Sequence, residues 1–382
     1  MDHAVTRYRH LFPSLSNNIQ LSSCSQSAIA TPVREAVGEY FDSLHARGMD
    51  WELWMTRVAA AKAEFARMIN ADEDEVAVCA SVTEAAGLIA SALDYPAARN
   101  KVLMTEMDFP SIGHLWLAQQ RFGAQVQFVE SDNDAVPTER FIEAIDERAR
   151  LVCISQVCFY NGYRQDVAQI TRQAHAHGAL VFVDAYQASG SEPMDVKATP
   201  IDMLASGMQK YLLGLPGIAF LYVRREVALK LEPSLTGWFG RSNPFEFDIR
   251  KLDYAPNANR FDVGTPPMMA AYAAHAALQL INQVGVGHIN AWQKRLSQVA
   301  LETAAAHGLV VASPTDLSCK AANTAIRVAQ AKTLEGLMAK EGFIVSARSD
   351  VLRIAPHFYN TEADVRQAIE CLAALDRQLN LR

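Results

Sequence analysis

The chain has 382 residues, 50% of them hydrophobic, and a formal net charge of −7 at neutral pH, enough for one large domain with a smaller one attached. The acidic balance gives no electrostatic footprint for nucleic acid, and no apolar run reaches the ~20 residues of a membrane span. The six cysteines are scattered without a CxxC pair, and the N-terminus lacks the apolar core of a signal peptide. These features argue against a metal site or a disulfide framework and for a cytoplasmic protein.

Short β-branched and apolar runs at 75–80, 101–105, 124–130, 150–156, 179–184, 202–206 and 218–223 predict strands. Helical patterns lie between several of them, at 83–93, 138–148 and 167–177, with Gly178 placed as a helix C-cap glycine. Such alternation builds a mostly parallel sheet covered by helices on both faces. The stretch 237–267, rich in Gly, Pro, Asn and aromatics, reads as irregular structure. An alanine-rich helical stretch follows at 268–307. The C-terminus is α/β again, with strands at 325–328, 343–346 and 351–354 and helices at 332–340 and 361–379. The expected division is a large domain, 16–264, and a small C-terminal α/β domain, 265–382, with the segment 1–15 packing nearby. His175 and His177 stand two apart on a helical segment, face different directions and predict no metal pair.

Ligands of open parallel sheets bind beyond the carboxyl ends of the strands. Asp184 and Lys210 both fall there. An acid and a lysine so placed match the needs of pyridoxal 5′-phosphate. The lysine forms a Schiff base with the aldehyde, and the acid keeps the pyridine nitrogen protonated so that the ring accepts electrons. Gly214 and Gly217 behind the lysine let backbone pass close to such a group. Ser81, Val82 and Thr83 close one strand and open a helix, whose free N–H groups suit an anion. As residues alone they serve equally as ordinary caps.

The segment from Val181 to Val223 carries Asp184-x-x-Gln187 after one strand, Lys210 after the next, a Gly-rich turn and the strand Phe220-Leu221-Tyr222-Val223. It resembles the class V aminotransferases, the fold-type I enzymes that include cysteine desulfurases, kynureninases and isopenicillin N epimerase-like proteins. The resemblance runs from about Leu21 to the C-terminal helix. It implies a fold-type I α/β architecture: a large domain with a mostly parallel seven-stranded sheet, and the small C-terminal domain. It implies pyridoxal 5′-phosphate as cofactor, with Lys210 and Asp184 catalytic. It further implies Gln187 on the phenolic oxygen, Phe109 on the pyridine ring, and phosphate contacts from Ser81, Val82 and Thr83, with Ser206, Gln209 and Thr265 as further candidates. Thr265 lies in a segment, 260–267, resembling the loop that a second subunit contributes, so a homodimer with shared active sites is expected. Arg353 matches the C-terminal arginine that binds a substrate carboxylate, and Arg348 is a candidate for a second anionic group. Trp238, in Gly237-Trp238-Phe239-Gly240, resembles a kynureninase-like substrate loop.

The chain also departs from each subfamily. No cysteine stands in 342–350, where a desulfurase has its nucleophile. Gln187 and Gln209 replace the histidine and tyrosine of a kynureninase, and Cys158-Phe159 replaces an asparagine site. The expected function is that of a class V aminotransferase acting on a small-molecule amino acid. Kynureninase-like, C–S lyase and epimerase chemistry are the alternatives, since all begin with loss of the α-proton. A non-catalytic ligand-binding protein of this fold is a remote one.

Overall fold

The protein is described here by a computed structural model covering residues 7–380. A short strand, β1 (Ile19–Gln20), precedes two long helices, α1 (Thr31–Arg47) and α2 (Trp51–Ile69). The sequence reading drew no element across these helices. Seven strands follow: β2 (Val76–Cys79), β3 (Lys101–Thr105), β4 (Gln125–Val129), β5 (Ala149–Ser155), β6 (Leu180–Asp184), β7 (Met203–Gly207) and β8 (Ala219–Val223). They form one sheet in the order β2-β8-β7-β6-β5-β3-β4. Only β8 runs against its neighbours. This is the expected mostly parallel seven-stranded sheet. Every residue of β2, β3, β7 and β8 is buried. Their sequences are mostly apolar rather than alternating, as in a sheet covered on both faces. The edge strand β4 is mostly exposed.

Helices α3 (Val82–Ser91), α4 (Pro110–Ala118), α5 (Thr138–Ala144) and α6 (Val167–Ala176) connect the strands. Ser81 caps α3, its Oγ accepting the Glu84 N–H at 3.1 Å. Between 237 and 267 there are only short 3-10 turns, such as Trp238–Gly240 and Ala258–Phe261. The helical stretch expected at 268–307 is two helices, α7 (Met268–Val284) and α8 (Val286–Ala306). Gly285 separates them with φ of 86°, a backbone angle open to glycine and strained for other residues. Helix α7 shares one hydrophobic core with α1, α2 and one face of the sheet.

The C-terminal part holds β9 (Thr324–Arg327), α9 (Ala331–Lys340), β10 (Phe343–Ile344), β11 (Ser346–Arg348), β12 (Val351–Ile354) and α10 (Glu362–Asn380). Strands β11, β12 and β9 make an antiparallel sheet. Its core draws on α8 from Leu296 onward, on α9 and on α10. The N-terminal segment is fastened to this part. Arg9 pairs with Asp364 at 2.6 Å, Phe12 packs on Phe358 and Tyr359, and β1 pairs with β10. A further bridge joins Ser22 to Ala355, and this carries Cys24 and Ser25 to the end of the large sheet. Among the described residues no helix is long and apolar enough to cross a membrane.

Candidate active site

Beyond the carboxyl ends of β6 and β7 lies a cavity of about 340 Å³. Asp184 is the last residue of β6, and Lys210 follows the end of β7 by three positions. Both line the cavity, with Gln187 and Gln209 between and beside them. The start of α3 supplies Ser81, Val82 and Thr83; Phe109, Arg353 and Arg348 line the cavity as well.

The Lys210 amine is buried against aromatic faces. Its Nζ lies 4.1 Å from the Tyr186 ring centroid and 5.7 Å from that of Phe109. It makes no hydrogen bond to any described residue. Burial lowers its pKa to about 8, and the negative charge of Asp184 partly opposes the shift. Gly207 makes this packing possible, because a side chain there would run into the Tyr186 ring. Asp184 is equally isolated. Its Oδ1 accepts the Tyr186 N–H at 2.9 Å, and no described cation forms an ion pair with it. Burial pushes its pKa up, against the pull of the Tyr186 N–H and the Lys210 charge.

The two glutamines tie the N-terminal segment to the site. Gln187 Nε2 donates to the Cys24 carbonyl at 2.9 Å, and Gln209 Nε2 donates to that of Ser25 at 3.2 Å. Arg353 is almost fully buried and has no ion-pair partner among the described residues. Its NH2 donates to the hydroxyls of Ser25 (2.8 Å) and Ser346 (2.6 Å), its NH1 to the Phe159 carbonyl (2.7 Å), and its Nε to the Ser346 carbonyl (3.4 Å). Neutral groups therefore hold the guanidinium in place while its charge stays uncompensated.

Not all expected residues reach the cavity. Ser206 is buried within β7, with its hydroxyl against the Gly207 carbonyl at 3.3 Å. Successive strand residues face opposite ways, and it is Gly207 that faces the ring of Tyr186, which lines the cavity. Thr265 is exposed and lies outside it. Its neighbours Gly264 and Pro266 line a second cavity, of about 530 Å³, beside Lys62 and Asp262. Trp238 also stands apart, packed edge-on to Trp51 and Phe239 at 6.0 and 4.2 Å. Phe159 lines the cavity and meets Phe109 edge-on at 5.2 Å.

Four contributors were missed from the sequence. Tyr186 was passed over inside the Asp184-x-x-Gln187 pattern. Cys24 and Ser25 lie far away in the chain, in a segment with no pattern to mark them. Asp108, beside Phe109, is buried and fastens two strand ends. Its Oδ2 accepts the Thr105 N–H at 2.8 Å and its Oδ1 that of Ser155 at 3.2 Å. Burial raises its pKa to about 6, and nearby Asp184 adds to the shift.

These residues fit pyridoxal 5′-phosphate. The cavity volume is at the lower end of the range of about 300–1,000 Å³ typical of small-molecule sites. A buried carboxylate without a cation and a buried amine without an acceptor are each unfavourable alone. A ring nitrogen and an aldehyde relieve both. The first-turn N–H groups of α3 lack intrahelical partners and suit a phosphate.

The family model of the class V aminotransferases matches residues 21–374, and the chain belongs to that family. It is similar to the uncharacterized aminotransferase YcbU of Bacillus subtilis (strain 168), 41% identical over 98% of this chain and 99% of the other. A probable cysteine desulfurase of Methanothermobacter thermautotrophicus is 31% identical over 74% of this chain and 71% of its own length. Among solved structures, the apo cysteine desulfurase of Thermococcus onnurineus NA1 superposes with a TM-score of 0.88 at 22% identity, covering 98% of each chain.

Proposed function

We propose that this chain is a pyridoxal 5′-phosphate-dependent class V aminotransferase, with Lys210 as the residue that carries the cofactor and moves the substrate proton. One observation carries the reading: a lone amine, a lone carboxylate and an uncompensated guanidinium, from Lys210, Asp184 and Arg353, line a single cavity. When bound, the cofactor supplies an aldehyde for amino groups and a ring that accepts electrons. Asp184 would hold its ring nitrogen, and the start of α3 at Ser81, Val82 and Thr83 its phosphate. Phe109 would cover one ring face. Gln187 has a second amide hydrogen beyond the one given to Cys24, and this would serve the phenolic oxygen.

The remaining work falls to the chain's own groups. Arg353 would bind the α-carboxylate through its remaining N–H, with Ser25 yielding where a second contact forms. That fixes the amino acid with its Cα–H toward Lys210. The Lys210 amine, less basic than an exposed lysine, accepts the proton from Cα and can return it to another atom. The partly buried rings of Phe159 and Tyr186 would shield this transfer from water, with Phe109 at the more open side.

The proposal includes a cytoplasmic homodimer in which Thr265 serves the partner's phosphate. Its support is the exposure of Thr265 and of Phe245, Phe247, Ile249 and Leu252 in the loop that precedes it. The test is a panel of amino acids incubated with loaded protein and a keto-acid acceptor, with keto-acid products followed by mass spectrometry. Matching keto acids support transamination. Elimination fragments or racemised substrate alone would replace it with lyase or epimerase chemistry.

A further inference from the structure

We infer that the site takes a dicarboxylate, an amino acid whose side chain carries a second anionic group held by Arg348. The inference rests on the amino-acid reading above, with Arg353 on the α-carboxylate. Strands β11 and β12 pair antiparallel, with Ser346 opposite Arg353 and Arg348 opposite Val351. Directly opposite residues, and residues two apart on one strand, share a face. Ser346, Arg348 and Arg353 therefore face the same way. Arg348 and Arg353 are diagonal neighbours, a relation that sets Cα atoms about 7–8 Å apart. Both side chains reach the cavity that holds Lys210.

Neither guanidinium forms an ion pair with a described carboxylate, and both Glu335, whose charge acts on Arg348, and Asp350, two residues further along the chain, are already engaged. Glu335 accepts the Ala347 N–H at 3.0 Å and pairs with Lys332. Asp350 accepts the Tyr160 hydroxyl at 2.7 Å and pairs with Arg327. Arg353 is held only by hydroxyls and carbonyls. Two like charges thus share one cavity wall without a counterion from the chain, an arrangement that repels cations and rewards two anions. One anion is the α-carboxylate. The start of α3 is placed to take the phosphate, which leaves Arg348 for another. Arg348 is exposed, so it meets a side chain that extends outward from Cα.

Calorimetric titration of the holoenzyme with glutarate and with valerate tests this, since the two differ only in the second carboxylate. Glutarate should bind about ten- to a hundredfold more tightly, the range of a charge-assisted contact. Arg348→Ala should shrink that ratio to within about threefold, and Arg348→Lys should restore part of it. Equal affinities in the unaltered protein, or a ratio unchanged in both variants, would overturn the inference. Borohydride labelling of the same preparation separates the two levels. Label on Lys210 with equal affinities sinks only the dicarboxylate, whereas no label on Lys210 sinks the amino-acid reading beneath it.

Discussion

Lys210 owes its chemistry to what surrounds it rather than to its own nature. Burial lowers its pKa to about 8 from an ordinary 10.5, so the neutral amine dominates above about pH 8. Capture of pyridoxal 5′-phosphate by the apoprotein should therefore rise through pH 8 and level off, well below the pH an exposed lysine needs. Asp184 holds that pKa up and Arg353 holds it down. Asp184→Asn should shift the capture profile to lower pH, and Arg353→Ala to higher pH. Stopped-flow absorbance reads both, and shifts of the same sign would refute the electrostatic assignment. Asp184→Asn should also slow exchange of the substrate α-proton severely. Arg353→Ala should reduce kcat/KM for amino acids about ten- to a thousandfold and affect the matching decarboxylated amines much less. Equal losses would make Arg353 structural. The sequence named Asp184 and Lys210 because each ends an apolar strand and the pair follows a family pattern. It could not show Cys24, Ser25 or Tyr186, whose places depend on a bridge from Ser22 to Ala355 and on the absence of a side chain at Gly207. Nor could it show that Ser206 points away, since a one-residue difference in strand phase decides the face.

The elements that hold the site are short, and their ends are fastened individually. Asp108 joins the ends of β3 and β5 by accepting the Thr105 and Ser155 N–H groups. It thereby fixes the turn that presents Phe109. Asp108→Ala leaves both N–H groups without their acceptor and should destabilise the apoprotein by about 1–3 kcal/mol. Urea unfolding measures it, and an unchanged midpoint would show that the tie is unimportant. The seven strands of the large sheet were legible to within one residue at every end, because most of them are buried, mainly apolar runs, whereas the strand expected at 343–346 is split into β10 and β11 and β1 was not foreseen. The break at Gly285 was not, since the apolar pattern continues across it and only the backbone angle ends α7.

At the scale of the molecule, the loop before Thr265 leaves apolar surface in water. Ile249 is 98% exposed and Phe247 68%, and Phe245 and Leu252 are exposed beside them. Exposed apolar clusters of this kind mark contact surfaces. With Thr265 nearby in sequence, the surface suits a second copy of the chain. Light scattering should give a dimer, and Ile249→Asp should weaken it while the apoprotein keeps its melting temperature. A monomer that turns over amino acids would exclude shared sites. The large sheet and the C-terminal sheet meet where Arg353, Ser25 and Lys210 converge, so the cavity is lined from distant parts of one chain. The most direct measurement is borohydride reduction of the holoprotein followed by peptide mass mapping. The expected result is a pyridoxyl group on the peptide that carries Lys210 and on no other. Label on a different lysine, or on none, would contradict Lys210 as the residue that carries the cofactor.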